Sequence, residues 1–296
     1  MTALEVAGLT KRYGTVRALH DVSFSVSAGE IFGYLGPNGA GKTTTLRILA
    51  GLAHPDTGTA RLLGAPAGRA AVRERVGYLP GELRLYGSMT ASAILERFAR
   101  FRPHRPPVLR QLLLDVLGLS PADLARRIKL LSHGTKQKIG LVIAMQHDPD
   151  VLLLDEPTNG LDPLVQRAFR TVLQERAAAG RAVLLSSHIL SEVEATCHRV
   201  AVLRAGEMLA VEAVEALRAR IVRRLQLRAR TALPNSLSNT PGVAKAEING
   251  CDAVLWIQGD LNPVLRAVAQ LDVERFVFAE PQLEDVFLGF FAGAGS

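Results

Sequence analysis

Hydrophobic and polar positions change rhythm twice along this chain. In the first part, short continuous apolar runs alternate with stretches of helical period, which argues an α/β domain. "EIFGYLG" (30–36) predicts a buried strand, and "GKTTTLRILAG" (41–51) predicts a helix ended by Gly51. "DVLLLDEP" (150–157) and "RAVLLSSH" (181–188) each hold a continuous apolar run, as expected of central parallel strands covered on both faces. Between about residues 83 and 147 the pattern is helical, in "TASAILERFARF", "PVLRQLLLDVLGL" and "SHGTKQKIGLVIAMQH". These predict a helical subdomain set into the α/β core.

After about residue 216 the pattern changes again. "RRLQLRAR" alternates apolar with polar, as a half-exposed strand does. "VAKAEING" and "DAVLWIQG" meet around Asn249-Gly250, a strong hairpin signal. A short helix ("NPVLRAVAQL"), a strand ("VERFVFAE") and a last amphipathic helix ("PQLEDVFLGFF") follow. With "LPNSLSNT" as a first short helix, the order is β-α-β-β-α-β. It predicts a small ferredoxin-like α+β accessory domain over 217–296, behind a main domain over 1–216.

Composition narrows the class. The 296 residues are 48% hydrophobic and 21% charged, ordinary for a globular chain with a sizeable core. No apolar run reaches the roughly 18 residues of a membrane span. The N-terminus lacks the basic-then-apolar plan of a signal peptide. Cys197 and Cys251 match no metal spacing and are expected as buried packing residues of a reducing compartment. The net charge of +7 comes mainly from scattered arginines, densest at Arg218, Arg220, Arg223, Arg224, Arg228 and Arg230. No nucleic-acid motif accompanies it, so no nucleic acid is expected as a partner.

The chemistry begins at "GPNGAGKTT" (36–44), which satisfies G-x-x-x-x-G-K-[ST] between a predicted strand and a helix start. At ordinary residue usage a chain this long gives roughly one accidental match per hundred proteins. Gly36, Pro37, Asn38, Gly39, Ala40 and Gly41 form a loop whose backbone N–H groups can wrap phosphates, at a helix N-terminus that favours anions. Lys42 is placed to reach the β- and γ-phosphates of a nucleotide, which the loop alone does not identify. Thr43 offers a hydroxyl to Mg²⁺, and Thr44 completes the loop. Asp155 and Glu156 end an apolar strand, where ligands of such sheets bind. Neighbouring strand residues face opposite ways, so Asp155 is expected to hold Mg²⁺ while Glu156 polarises the attacking water. His188 ends the following strand, expected beside the first, within reach of the γ-phosphate or the water.

Together with "LSHGTKQKIG" (131–140), upstream of Asp155, this set resembles the ATP-binding subunits of ABC transporters. The stretch is similar to the family's signature loop, most often L-S-G-G-Q. "TNGLD" (158–162) looks like its D-loop, ending in Asp162, and His188 stands where the family has a switch histidine. Tyr13 in "KRYG" looks like the aromatic on which adenine stacks. The resemblance covers roughly residues 3–215. It implies two subunits, copies of this chain or homologues, facing head to tail. Ser132 and the N–H of Gly134 of each would then touch the γ-phosphate held by the other. Two positions depart from the pattern. Where the family carries a Q-loop glutamine, "VGYLPGELRLYG" has Gly81 and then Glu82, the latter a candidate metal ligand offset by one. His133 and Thr135 replace Gly and Gln of the signature.

"PQLEDVFL" resembles the ending of exporter ATPases that work with separate ABC-2-type membrane subunits. That implies a peripheral ATPase on the cytoplasmic face of the membrane. The alternatives are a soluble ABC-type ATPase acting on nucleic acid or ribosomes, and a regulatory subunit with weak hydrolysis. The chain has one cassette, no zinc spacing and no long heptads, against the first. The presence of Lys42, Asp155, Glu156 and His188 argues against the second.

Overall fold

The computed structural model describes residues 1–219, 223–258 and 260–279. The chain divides into two compact units, the first Met1–Val211 and the second beginning at Glu212, against the expected boundary at 217.

The first unit carries two sheets. Strands β1 (Thr2–Tyr13), β2 (Val16–Ser27), β4 (Thr57–Leu62) and β5 (Ala65–Pro66) form an antiparallel sheet in the order β2-β1-β4-β5. The second sheet uses β3 (Ile31–Leu35), β6 (Val76–Leu79), β7 (Val151–Asp155), β8 (Ala182–Ser187), β9 (Arg199–Arg204) and β10 (Glu207–Ala213), in the order β10-β9-β3-β8-β7-β6. From β9 to β6 every pairing is parallel. Every residue of β3, β7 and β8 is buried, the reason these strands are apolar without alternation.

Helices α1 (Lys42–Leu49) and α2 (Ala70–Arg73) belong to the core, and α3 (Ala91–Arg100), α4 (Arg110–Val116), α5 (Pro121–Ala125) and α6 (His133–Met145) to the helical insert. Thr90, Ser120 and Ser132 cap α3, α5 and α6 by accepting backbone N–H groups, so each helix starts where its side-chain oxygen satisfies orphan donors. Helices α7 (Pro163–Ala178) and α8 (Leu190–Thr196) follow β7 and β8. At the strand ends remote from the glycine-rich loop, Asp148 and Asp150 gather arginines. Arg181 meets them at 2.6 and 2.7 Å, and Arg75 and Arg105 meet Asp150 at 2.9 and 2.6 Å. Burial works against the Asp150 carboxylate, yet hydrogen bonds from Arg75 and Arg105 hold its pKa below the usual value.

The second unit contains α9 (Val214–Ala219), β11 (Arg223–Ala229), β12 (Val243–Asn249), β13 (Asp252–Ile257), α10 (Asn262–Val268) and β14 (Val273–Ala279). Its antiparallel sheet has the order β12-β13-β11-β14. In terms of the four strands this is 2-3-1-4, the ferredoxin-like arrangement. The first crossover differs from expectation: Asn235–Asn239 is a short 3-10 helix, since a five-residue Asn- and Ser-rich segment competes poorly for a full α-helix. Asn249 pairs with Asp252 across the expected hairpin turn, with Gly250 at φ 61°. Leu225, Leu227, Leu255, Ile257, Val264 and Val268 form this unit's separate core. Cys197 is buried, which raises its thiol pKa, but Cys251 is only half-buried at the hairpin turn, not a core residue as expected. The amphipathic segment "PQLEDVFLGFF" and Arg220 lie outside the described residues.

Candidate functional site

The register of the parallel sheet brings the candidate residues together. Leu35 pairs with Ser187, and Asp155 with Ser186, so β3, β7 and β8 end side by side. The glycine-rich loop leaves β3 at this edge and turns into α1. Gly41 makes the turn at φ 107°, and a Cβ there would lie 2.4 Å from the Ala18 carbonyl oxygen. Both the backbone conformation and the close approach require glycine.

A cleft forms here, lined by the loop from Pro37 to Thr44, by Val16, Arg17 and Ala18 of β2, and by Gly81, Asp155 and Glu156. Lys42 is buried, and its ammonium donates to the carbonyls of Gly36 and Pro37. It also lies 3.4 Å from Glu156 Oε1. The Thr43 hydroxyl donates to Asp155 Oδ2 at 2.7 Å. Ser186 donates to Asp155 Oδ1 at 2.6 Å and accepts the Glu156 N–H at 3.1 Å. Asp155 is 1% exposed, so these hydroxyls replace the hydration its carboxylate has lost.

Glu156 sits at φ 49°, a left-handed conformation costly for a non-glycine residue. There its carboxylate reaches both Lys42 and His188, whose Nδ1 lies 2.8 Å from Glu156 Oε2. The expected adjacency of the carboxylate and histidine strands is therefore realised: β7 and β8 are hydrogen-bonded neighbours.

The signature stretch starts α6. Ser132 caps the helix, accepting the Thr135 N–H at 3.1 Å and contacting the Thr135 hydroxyl at 2.8 Å. A Cβ on Gly134 would come 2.5 Å from the Gly160 carbonyl oxygen, so only glycine permits this approach. The His133 ring packs on Gly160 as well, 2.9 Å from where a Cβ there would sit. Asp162 caps α7 by accepting the Val165 N–H at 3.0 Å; that bond, with Lys138 nearby, holds its carboxyl below the usual pKa.

Besides Ser132 and Gly134 on α6, and His188, which meets the cleft only through Glu156, three more expected residues lie apart from it. Tyr13 is 46% exposed at the β1–β2 turn, under the Lys11 ammonium, and does not line it. Glu82 does not approach Asp155. Its carboxylate meets Arg84 at 3.2 Å, and both side chains are more than three-quarters exposed. Gly81 instead abuts Asp155, close enough that a Cβ there would lie 3.0 Å from Asp155 Oδ2. Asp162 serves its own helix within this chain. Sequence reasoning missed Ser186 and the lining residues Val16, Arg17 and Ala18. Only the polar pair "SS" at the end of an otherwise apolar strand hinted at Ser186.

Comparison with known proteins decides the family. A family model described as "ABC transporter" matches residues 19–159. The Nod factor export ATP-binding protein I of Paraburkholderia xenovorans (strain LB400) is 38% identical over 298 residues, covering 97% of this chain and 96% of that protein. This chain belongs to the ATP-binding subunits of ABC transporters. An uncharacterised ABC transporter ATP-binding protein of Bacillus subtilis (strain 168), YhcH, is 36% identical over 72% of this chain and 71% of its own length. A solved ATP-binding subunit of an ABC transporter superposes with a TM-score of 0.65 at 31% identity, over 73% of this chain and 92% of its own. As an ABC ATPase the chain converts ATP and water to ADP and phosphate. Among the described residues of this ABC subunit, no helix is long and apolar enough to cross a membrane.

Proposed function

We propose that the chain energises an exporter through separate ABC-2-type permease subunits, docked on the cytoplasmic face of the membrane. The observation that carries the catalytic part is the convergence of Lys42, Thr43, Asp155 and Glu156 in one cleft, with His188 against the Glu156 carboxylate. The export role rests on likeness to a Nod factor export ATP-binding protein across nearly the full length of both chains.

In this reading Lys42 exchanges partners when ATP enters. Its ammonium turns from the Gly36 and Pro37 carbonyls and from Glu156 toward the β- and γ-phosphates, which carry more charge than the two carbonyls. Glu156 is thereby released from one of its two cationic or donor partners. His188 keeps the other oxygen oriented, and the carboxylate accepts a proton from the attacking water. The Thr43 hydroxyl and the Asp155 carboxylate form a hard oxygen pair that fits Mg²⁺. When bound, Mg²⁺ neutralises charge on the phosphates. Ser186 fixes one Asp155 oxygen, leaving the other directed toward Thr43 and the cleft.

The second surface is the start of α6. Ser132 and the Gly134 N–H stand at a capped helix N-terminus, a favourable place for an anion. The reading assigns them the γ-phosphate held by a second ATP-binding subunit, with ATP joining the two subunits and its hydrolysis releasing them. The test is Glu156→Gln in the complex with the co-purifying permease. Turnover is expected to fall by at least about a hundredfold, the scale of general-base catalysis. ATP-dependent dimers should accumulate in the same variant. Wild-type turnover in that variant would refute the assignment of the base.

A further inference from the structure

Residue 156 is held at both ends of its own backbone. Its N–H donates to Ser186 on β8 at 3.1 Å. Its carbonyl accepts from the Gln137 side-chain amide on α6 at 3.3 Å, and the same amide reaches the Pro157 carbonyl at 3.2 Å. Gln137 is 4% exposed. A buried amide donating to two successive carbonyls fixes the plane of the peptide between them. A residue at φ 49° keeps such a conformation only where its surroundings over-determine it. Ser186 and Gln137 supply that constraint from two different elements.

The element carrying Gln137 is what gives this contact its consequence. Gln137 lies on the second turn of α6, whose first turn carries Ser132 and Gly134. The same turn is pressed against the loop after β7. Gly134 meets the Gly160 carbonyl with no room for a Cβ, and Lys138 lies 3.8 Å from Asp162. The start of α6 and the segment 156–162 are thus joined at three points, so displacement of one is transmitted to the other.

The geometry points to Gln137 as a positioning residue for the general base. Through it, the setting of Glu156 in one ATP site follows the position of the helix that faces the ATP of the partner. Gln137 is buried and does not line the cleft. It acts through the backbone of residue 156, making hydrolysis at one site responsive to occupancy of the other. This rests on the proposed function, which supplies the partner nucleotide at Ser132.

The test uses the full chain in its permease complex and the substitution Gln137→Met, which keeps length and removes the donor. ATP affinity, measured with a fluorescent ATP analogue, is expected to stay within twofold. Turnover should fall at least tenfold, and the Hill coefficient for ATP should drop toward 1. A folded Gln137→Met complex with wild-type kcat and Hill coefficient overturns the inference, as does a loss confined to ATP affinity.

Hydrogen exchange on the otherwise unaltered chain covers the case in which the variant does not fold. On ATP addition, amides 133–136 and those of Glu156, Thr158 and Asn159 should become protected together, and Ser132→Ala should weaken both. Protection of 133–136 without any change at 156–159 overturns the inference alone. An inactive wild-type complex, or no protection at 133–136, would instead refute the underlying reading of a shared ATP site.

Discussion

Removing the Ser186 hydroxyl is the sharpest probe of how the site is held. Ser186 is fully buried and makes two bonds through one oxygen, donating to the Asp155 carboxylate at 2.6 Å and accepting the Glu156 N–H at 3.1 Å. Ser186→Ala leaves a buried carboxylate short of one donor, at about 1.5–3 kcal/mol for a bond to a charged group. It also orphans the Glu156 N–H, for about 1–3 kcal/mol. Entry of a water into the vacated space offsets part of the sum, so a net loss of about 3 kcal/mol is expected. For a domain of this size, about 2–4 °C per kcal/mol converts that to a fall of ~6–12 °C in melting temperature. The choice of assay matters. The chain's single tryptophan, Trp256, lies in the second unit, so its fluorescence does not report on this loss. Far-ultraviolet circular dichroism, or hydrogen exchange along β7 and β8, does. A midpoint for the first unit within 2 °C of wild type would refute the claim that this hydroxyl sustains the buried pair.

Two other measurements test different parts of the molecule. Glu82→Ala should leave ATPase activity within twofold of wild type, because Glu82 faces Arg84 in solvent; a tenfold loss would restore it as a metal ligand. Burial, then the neighbouring Arg102 and Arg105, press the pKa of His147 down to about 3 from 6.5. His147 is therefore neutral when folded, while the unfolded chain takes up its proton below 6.5. Stability that is complete above pH 6.5 should decline as pH falls toward 3, by about 2 kcal/mol at pH 5. His147→Leu should flatten that part of the profile in urea titrations at pH 5 and 7, and an unchanged slope would refute it.

How much of this was legible in the sequence depends on the range of the interactions involved. The motif from Gly36 to Thr44, the apolar strands ending in Asp155 and Glu156, and the cap at Ser132 are local: each depends on residues a few positions apart. The same holds for the Asn249-Gly250 hairpin. Strand adjacency was also foreseeable for β7 and β8, because a short helical crossover between buried parallel strands leaves few placements.

What tertiary structure alone decided are the contacts between segments distant in sequence. Ser186 serving both Asp155 and the backbone of Glu156, Gln137 holding the carbonyls of Glu156 and Pro157, and Gly81 pressed on Asp155 in place of Glu82 all join separate elements. No periodicity encodes them, since a serine in an apolar strand and a glutamine in a helix are ordinary residues until the fold chooses their partners. Sequence named the groups that meet at the cleft. The packing of α6 and β8 around residue 156 determined how that residue is held.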